Sequence, residues 1–392
     1  MQYRIDKRSG NKLSVLGFGC MRFPGNPGRP NKEKTESLLL QAIHGGINFF
    51  DTAYMYPGSE DALGEILEKN NLRDSIYLST KLPHSMCDTS DDFDRFFNEQ
   101  KRRLRTNYID YYFIHNFTEL TQWERICKLG IKEWIENKKK SGEIRQVGFS
   151  CHGPFEEFAK LLNAYDWDFA MIQYNYLNEH YQAGTKGLHL AAEKGIPLFV
   201  MEPLLGGKLA DPPKECVDIF QKSRPGSTPA SWALNWLWNQ REVTLLLSGM
   251  NASAQIEENL KLADMSEPGM FTDSDALTVK EAAEVINKTY KIHCTGCNYC
   301  MPCPMKINIP DCLAAYNSSY AVGWTTGVAQ YLVTAGVASK TPHYASDCTQ
   351  CGACEKNCPQ KIAIRKELKR IKRRLQLPGT KLVPKLMRLV IK

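Results

Sequence analysis

Eight of the chain's fourteen cysteines fall into two runs: Cys294, Cys297, Cys300 and Cys303 before Pro304, and Cys348, Cys351, Cys354 and Cys358 before Pro359. Three thiolates at successive three-residue intervals, with a terminal Cys-Pro, suit an iron-sulfur cluster. Zinc more often takes separated Cys-x-x-Cys pairs, frequently with histidine, and fits less well. Cys20, Cys87, Cys127, Cys151, Cys216 and Cys312 lack ligand spacing and read as packing or surface residues. A second set is titratable: Asp51, Lys81 and His115 each end an apolar run, and Tyr56 lies five residues after Asp51. A carboxylate, a phenol, an ammonium and an imidazole are the residue types of acid–base catalysis. Singly, each also reads as a salt bridge, a loop aromatic or a satisfied core histidine; it is their recurrence on successive runs that argues for a site.

The elements that would position them follow from periodicity. Short apolar runs alternate with helical stretches such as Glu33–His44 and Ser227–Asn239. The runs are Val15–Gly19, Ile47–Asp51, Ile76–Thr80, Tyr111–His115, Gln146–Ser150, Ala170–Tyr174, Leu198–Met201 and Val243–Leu247. Eight strand–helix units predict an α/β fold, a closed (β/α)8 TIM barrel of roughly 250 residues. A doubly wound sheet would carry Gly-x-Gly-x-x-Gly after its first strand; here Gly17-Phe18-Gly19 runs into Cys20, Met21 and Arg22. Barrel enzymes work at the carboxyl ends of their strands, which is where Asp51, Lys81 and His115 fall. After Glu267-Pro268-Gly269 the alternation stops and a helix is predicted over Ser274–Tyr290. The expected domains are therefore residues 1–268, 269–364 and a basic segment 365–392. With 392 residues, 43% hydrophobic and 24% charged, the chain suits a large and a small folded domain. The N-terminal residues lack a secretory signal, so a reducing cytoplasm is expected. The uncharged stretch Cys312–Ser339 is long enough to span a bilayer, but its Asn, Ser, Gln, Thr and Gly residues make it a buried linker.

On these residues the chain resembles the aldo/keto reductase superfamily. The motifs are Phe50-Asp51-Thr52-Ala53 with Tyr56, Ser79-Thr80-Lys81, and Asp110 to His115. The resemblance runs from Leu13 to Asp264 and includes Gly148-Phe149-Ser150, Gln173-Tyr174-Asn175, Pro203-Leu204 and Glu258-Asn259. It implies hydride transfer between NADP or NAD and a small-molecule carbonyl, an aldehyde or ketone, or the reverse alcohol oxidation. A free tyrosine, with a pKa of about 10, is a poor proton donor near neutrality. A neighbouring Lys81 ammonium held by Asp51 would stabilise the phenolate, making Tyr56 the general acid, while His115 orients the carbonyl. The resemblance also implies that Ser150 and Gln173 hold the nicotinamide carboxamide and that Leu204 to Gly207, with Gly206, cover the pyrophosphate. Met201 stands where many members stack a tyrosine on the nicotinamide, and Cys151 where many have asparagine. The resemblance likewise implies cofactor contacts at Gly249, Met250, Gln255, Glu258 and Asn259. Members that prefer NADP usually have Lys and Arg where this chain has Gly249 and Gln255, so both cofactors stay open. Arg22 could bind a substrate carboxylate or a rim acid, and His152 could be pocket wall or surface.

The second cysteine run matches the bacterial ferredoxin spacing throughout; the first is one residue short in its last gap. In two-cluster ferredoxins the fourth cysteine ligates the other cluster. The expected sets are thus Cys294, Cys297, Cys300 with Cys358, and Cys348, Cys351, Cys354 with Cys303, holding two 4Fe-4S clusters in a small, mostly α, ferredoxin-like domain. Barrel and tail together resemble a branch of aldo/keto reductases that carries such a domain. Nicotinamide trades electron pairs and clusters trade single electrons, yet no flavin motif is apparent to convert between them. The clusters could relay electrons to or from a ferredoxin, serve structure, or sense redox state. The alternative reading is an electron carrier or redox sensor on a catalytically degenerate barrel.

The net charge of +7 hints at nucleic acid or lipid, but its distribution argues otherwise. From Arg365 to Lys392 there are eleven basic residues and one acid, Glu367, so the excess lies in that segment and no nucleic-acid partner is expected. Ile364, Leu368, Ile371 and Leu375 keep helical spacing, predicting an amphipathic helix packed on the cluster domain. Its basic face and the end Leu382–Lys392 could instead meet an acidic ferredoxin or a membrane surface.

Overall fold

The computed structural model describes residues 1–26, 28–321, 323–335, 341–377 and 380. Contacts divide the chain into two compact units: Met1–Leu204 with Ser231–Asp273, and Leu205–Ala230 with the chain from Ser274 on.

In the first unit all eight predicted runs form strands: β1 Leu16–Gly19, β2 Phe49–Asp51, β3 Tyr77–Leu82, β4 Ile109–Phe117, β5 Ile144–Cys151, β6 Phe169–Gln173, β7 Leu198–Met201 and β8 Val243–Ser248. They close into a parallel barrel in chain order, with β8 beside β1. The near-continuous apolar runs follow from burial on both faces, helices outside and barrel core inside.

Alternation along the strands decides which side chains reach the interior. Phe49, Tyr111, Phe113, Phe169, Met171, Phe199, Leu245 and Leu247 pack in one inner cluster. Their neighbours Phe50, Tyr112, Ile114, Ala170, Ile172, Val200 and Leu246 belong to the cluster beneath the helices. Asp51 is two residues after Phe49, His115 two after Phe113, Gln173 two after Met171 and Met201 two after Phe199, so all four share the inward parity. Register pairs Asp51 with Ser79 and Lys81 with Phe113, which adds Lys81 to the same face.

A hairpin that periodicity did not reveal, Tyr3–Ile5 paired with Lys12–Ser14, is tied to the barrel core by Tyr111. The Tyr111 hydroxyl donates to Asp6 Oδ2 at 2.8 Å and accepts from Asn11 Nδ2 at 3.0 Å.

The second unit is helical: Lys214–Ser223, Asp273–Thr289, Ile309–Ala321, Trp324–Thr334 and Ile364–Leu375. The uncharged stretch forms two helices that break at Gly323, where φ is 148°. Among the described residues no helix is long and apolar enough to cross a membrane. Ile364, Leu368, Ile371 and Leu375 are buried with Cys312, Leu313, Tyr316, Tyr331 and Cys358, as the helical spacing predicted. The segment Leu382–Lys392 lies outside the described residues.

The helix Ser59–Lys69 follows the Tyr56 loop and packs on Asp91–Leu104 with almost no separation. A Cβ at Gly64 would sit 2.2 Å from the Arg103 carbonyl oxygen and 2.6 Å from the Leu104 carbonyl carbon. At an open helix site Gly→Ala gains about 1 kcal/mol. Here Gly64→Ala should instead lose about 1–3 kcal/mol through overpacking, measured by urea unfolding; a gain in stability would contradict this packing.

Candidate active site

Lys81 is 1% exposed and Asp51 3%, so their charges must be satisfied by protein. The Lys81 Nζ donates to Asp51 Oδ1 at 2.7 Å and Oδ2 at 2.6 Å, to the Thr52 carbonyl oxygen at 2.8 Å and to the Tyr56 hydroxyl at 3.4 Å. Ser79 Oγ adds a donor to Asp51 Oδ1 at 2.7 Å. Burial pulls both partners toward neutrality, raising the Asp51 carboxyl and lowering the Lys81 ammonium, while their mutual attraction opposes it. The three N–H groups of a protonated amine, one shared between the two oxygens of an ionised carboxylate, serve all four acceptors, so the charged pair is the form this geometry favours.

Tyr56 is half-buried on the loop after β2. Its ring meets the His115 ring edge-on, with centroids 6.1 Å apart and planes at 85°. Burial, then the positive Lys81 and the nearby His152 and His84, hold the His115 imidazole well below its ordinary pKa. His115 is therefore neutral near pH 7, with one nitrogen able to donate. The structure thus brings Asp51, Tyr56, Lys81 and His115 to one barrel mouth.

The expected cofactor residues take up several positions. Ser150 is buried, and its Oγ accepts from the Asn116 backbone N–H at 2.7 Å, leaving its O–H to donate. Gln173 is fully buried at the end of β6, and neither its Oε1 nor its Nε2 has a hydrogen-bond partner among the described residues. A buried primary amide with both ends unmatched is costly unless a ligand completes it, and a carboxamide is the complementary group, so the residues present fit nicotinamide. Met201 ends β7, partly buried against the inner core. Gly206, at φ 70°, lies in the turn Leu205–Gly207 after Leu204. Met250 is buried, and Asn259 Nδ2 reaches Ser248 Oγ at 3.3 Å. Gln255 Oε1 accepts from the Asn251 N–H at 2.9 Å, so it supports the start of its own helix. Glu258 is half-buried on the same helix. Arg22 runs alongside Gly249, its Cδ 3.7 Å from where a Cβ would stand. His152 is 7% exposed, with Nδ1 against Gln182 Oε1 at 3.2 Å.

Sequence reasoning missed the polar clamp behind Lys81. Gln100 Nε2 donates to the Lys81 carbonyl at 3.0 Å, to Glu60 Oε1 at 3.0 Å and to Thr80 Oγ1 at 2.9 Å. Tyr112 donates to Gln100 Oε1 at 2.8 Å. A local sign marks Gln100 alone, which occupies the apolar stripe of Phe93, Phe96, Phe97 and Leu104 where a polar residue needs a reason; its partners are set only by tertiary contact. His84, just beyond β3, was also missed.

In the cluster unit, Cys358 is a neighbour of the first motif. The Cys300 thiol is pushed up to about 12 by burial and by its neighbours Cys294, Cys297 and Cys358. Cys303 in turn lines a cavity of about 110 Å³ together with Cys300, Cys348, Cys351 and Cys354. N–H groups also point at sulfur: Gly296 N to Cys294 Sγ at 3.4 Å, and Gln350 Nε2 to Cys348 Sγ at 3.2 Å. Among the described residues no three His, Cys, Asp or Glu side chains converge on a single-ion site. A cubane does not ask that of them, since each thiolate takes its own iron, and the all-sulfur donor sets fit iron-sulfur clusters.

The aldo/keto reductase family model matches residues 15–281, and a 4Fe-4S dicluster domain model matches residues 293–363. The chain belongs to the aldo/keto reductase family, and it is an oxidoreductase of that type with a C-terminal 4Fe-4S dicluster domain. It is 23% identical over 328 residues to an NADP(+) aldo-keto reductase of Schizosaccharomyces pombe, covering 72% of this chain and 93% of the relative. L-glyceraldehyde 3-phosphate reductase of Escherichia coli K12 is 26% identical over 314 residues, covering 67% and 87%. Among solved structures, an aldo-keto reductase of Klebsiella pneumoniae in complex with NADPH shares the fold, with a TM-score of 0.58, 19% identity, and coverage of 72% of this chain and 95% of that one.

His84 is 4% exposed, and burial followed by the nearby Arg125 lowers its pKa to about 4. Between that value and the ordinary 6.5 the unfolded chain binds a proton that the folded one refuses, so stability falls as pH drops through this window. The loss attributable to His84 should reach about 3 kcal/mol. His84→Phe should flatten the stability profile between pH 6.5 and 4 in urea titrations; an unchanged slope would contradict a neutral, buried His84.

Proposed function

We propose that the chain reduces a small aldehyde or ketone with NAD(P)H, Tyr56 acting as general acid, and that its C-terminal domain holds two 4Fe-4S clusters. The observation that carries the first part is the Lys81 ammonium, fixed by Asp51 and directed at the Tyr56 hydroxyl 3.4 Å away. NAD(P)H, when bound, supplies the hydride and both electrons. The Tyr56 O–H gives its proton to the carbonyl oxygen, and the Lys81 ammonium stabilises the phenolate left behind. Asp51 and Ser79 keep that ammonium charged and aimed. Neutral His115 donates a hydrogen bond to the carbonyl oxygen, fixing the face presented for attack. Ser150 and Gln173 hold the carboxamide; for Gln173 the support is its unmatched amide. Reversal, with Tyr56 as base, oxidises an alcohol.

Cofactor choice is less constrained by this chain. The relatives named for NADP(+) and NADPH favour NADP(H), whereas Gly249 and Gln255 supply no cation for a 2'-phosphate, so NAD(H) is the second candidate. The cluster ligands are proposed as Cys294, Cys297, Cys300 with Cys358 and Cys348, Cys351, Cys354 with Cys303, supported by the neighbours of Cys300 and the cavity around Cys303. Each cluster exchanges single electrons.

Tyr56→Phe should lower carbonyl turnover by about 10²–10⁴-fold while NADPH binding, followed by fluorescence quenching, stays intact. Retained turnover would refute the role of Tyr56. Anaerobically reconstituted protein should contain about eight iron atoms per chain; a plateau at about four would remove the two-cluster form.

A further inference from the structure

The helix Ile364–Leu375 carries seven basic residues and one acid. Its apolar face is spent internally: Ile364, Leu368, Ile371 and Leu375 are at most 1% exposed. Glu367 is engaged by Arg370 at 2.9 Å, and Arg374 donates to Ser319 Oγ at 2.7 Å. Lys366, Lys369, Lys372 and Arg373 are exposed and form no ion pair among the described residues. Spacings of three and four gather them on one stripe, where like charges repel and no acid pairs with them among the described residues.

This stripe is fastened to the second cysteine motif. Arg365 meets Glu355 through its backbone N at 2.7 Å and its Nε at 2.8 Å, and its guanidinium reaches the Gln350 carbonyl at 3.4 Å. Arg365 and Leu368 line the cavity shared by Cys300, Cys303, Cys348, Cys351 and Cys354. Cys351 is exposed, so the wall of that cavity reaches the surface.

We infer that this basic stripe is the docking surface for an acidic protein with a one-electron centre, seated over the cluster of the second motif. The inference rests on the reading that a 4Fe-4S cluster fills that cavity. One electron leaves the carrier as one enters the cluster; the carrier is oxidised by one, the cluster reduced by one, and no bond or proton moves. Two features favour a redox protein over a polyanion. A helix that lies on a membrane buries its apolar face in lipid, and here that face is already inside the unit. The stripe also adjoins a redox cavity, for which lipid and nucleic acid have no use.

The probe is a small acidic bacterial-type 4Fe-4S ferredoxin, pre-reduced and mixed anaerobically with the full chain, with affinity read by calorimetry and transfer by stopped-flow absorbance. Iron content and the cluster spectrum of the wild type are recorded first, so a missing second cluster overturns the underlying reading before any partner is added. With clusters present, the transfer rate should fall by about tenfold or more as ionic strength rises. It should fall similarly in Lys366→Glu/Lys369→Glu/Lys372→Glu/Arg373→Glu, and by an intermediate amount in Lys369→Gln/Lys372→Gln, with iron content and NADPH-dependent carbonyl turnover unchanged. Salt-independent transfer, equal affinity in the variants, or binding of phosphatidylserine vesicles in place of the ferredoxin would overturn the docking surface.

Discussion

The barrel is organised around one buried ion pair. Removing two charges from water costs several kcal/mol each, and only close geometry with additional donors repays it. Asp51 and Lys81 meet that requirement because β2 and β3 are adjacent and in register, because the Thr52 carbonyl faces the amine, and because Ser79 supplies a hydroxyl from the next inward position. Behind the pair, Gln100 grips the Lys81 carbonyl from the helix side. A phenol placed beside such an ammonium becomes a usable acid, so the chemistry attributed to Tyr56 is a consequence of how Lys81 is held.

The cluster unit obeys a different constraint. Its apolar core is small, and Cys358 is counted within it while Cys294, Cys300, Cys303, Cys348 and Cys354 pack against it. The thiols are thus structural members of the core as well as candidate ligands. Crossed ligation would link the two ends of the helical pair Ile309–Ala321 and Trp324–Thr334 and close that stretch into a loop, the kind of constraint that small domains draw from metal centres.

Much of this was legible in the sequence. The eight apolar runs named the strands, and the parity of Phe49 with Asp51 or Phe113 with His115 was already implicit in alternation. The cysteine spacing named the cluster chemistry. Three features were not legible, each for a physical reason. The hairpin Tyr3–Ser14 has strands of three residues, too short for a periodic signal. The clamp of Glu60, Thr80 and Gln100 joins residues from two helices and a strand, and only tertiary contact assembles it. The grouping of Leu205–Ala230 with the C-terminal unit depends on contacts such as Cys216 Sγ to the Ala282 carbonyl, 66 residues apart, which no local pattern encodes.

In the proposed reaction, electron pairs pass through the barrel by nicotinamide chemistry at Tyr56. This is tested most directly by titrating the anaerobically reconstituted protein with NADPH and NADH across a panel of aldehydes and ketones, following nicotinamide absorbance and cluster absorbance separately. Nicotinamide oxidation should depend on the carbonyl compound. Cluster bleaching by NAD(P)H with no carbonyl-dependent oxidation for any compound would contradict it, and would make the barrel a carrier's scaffold.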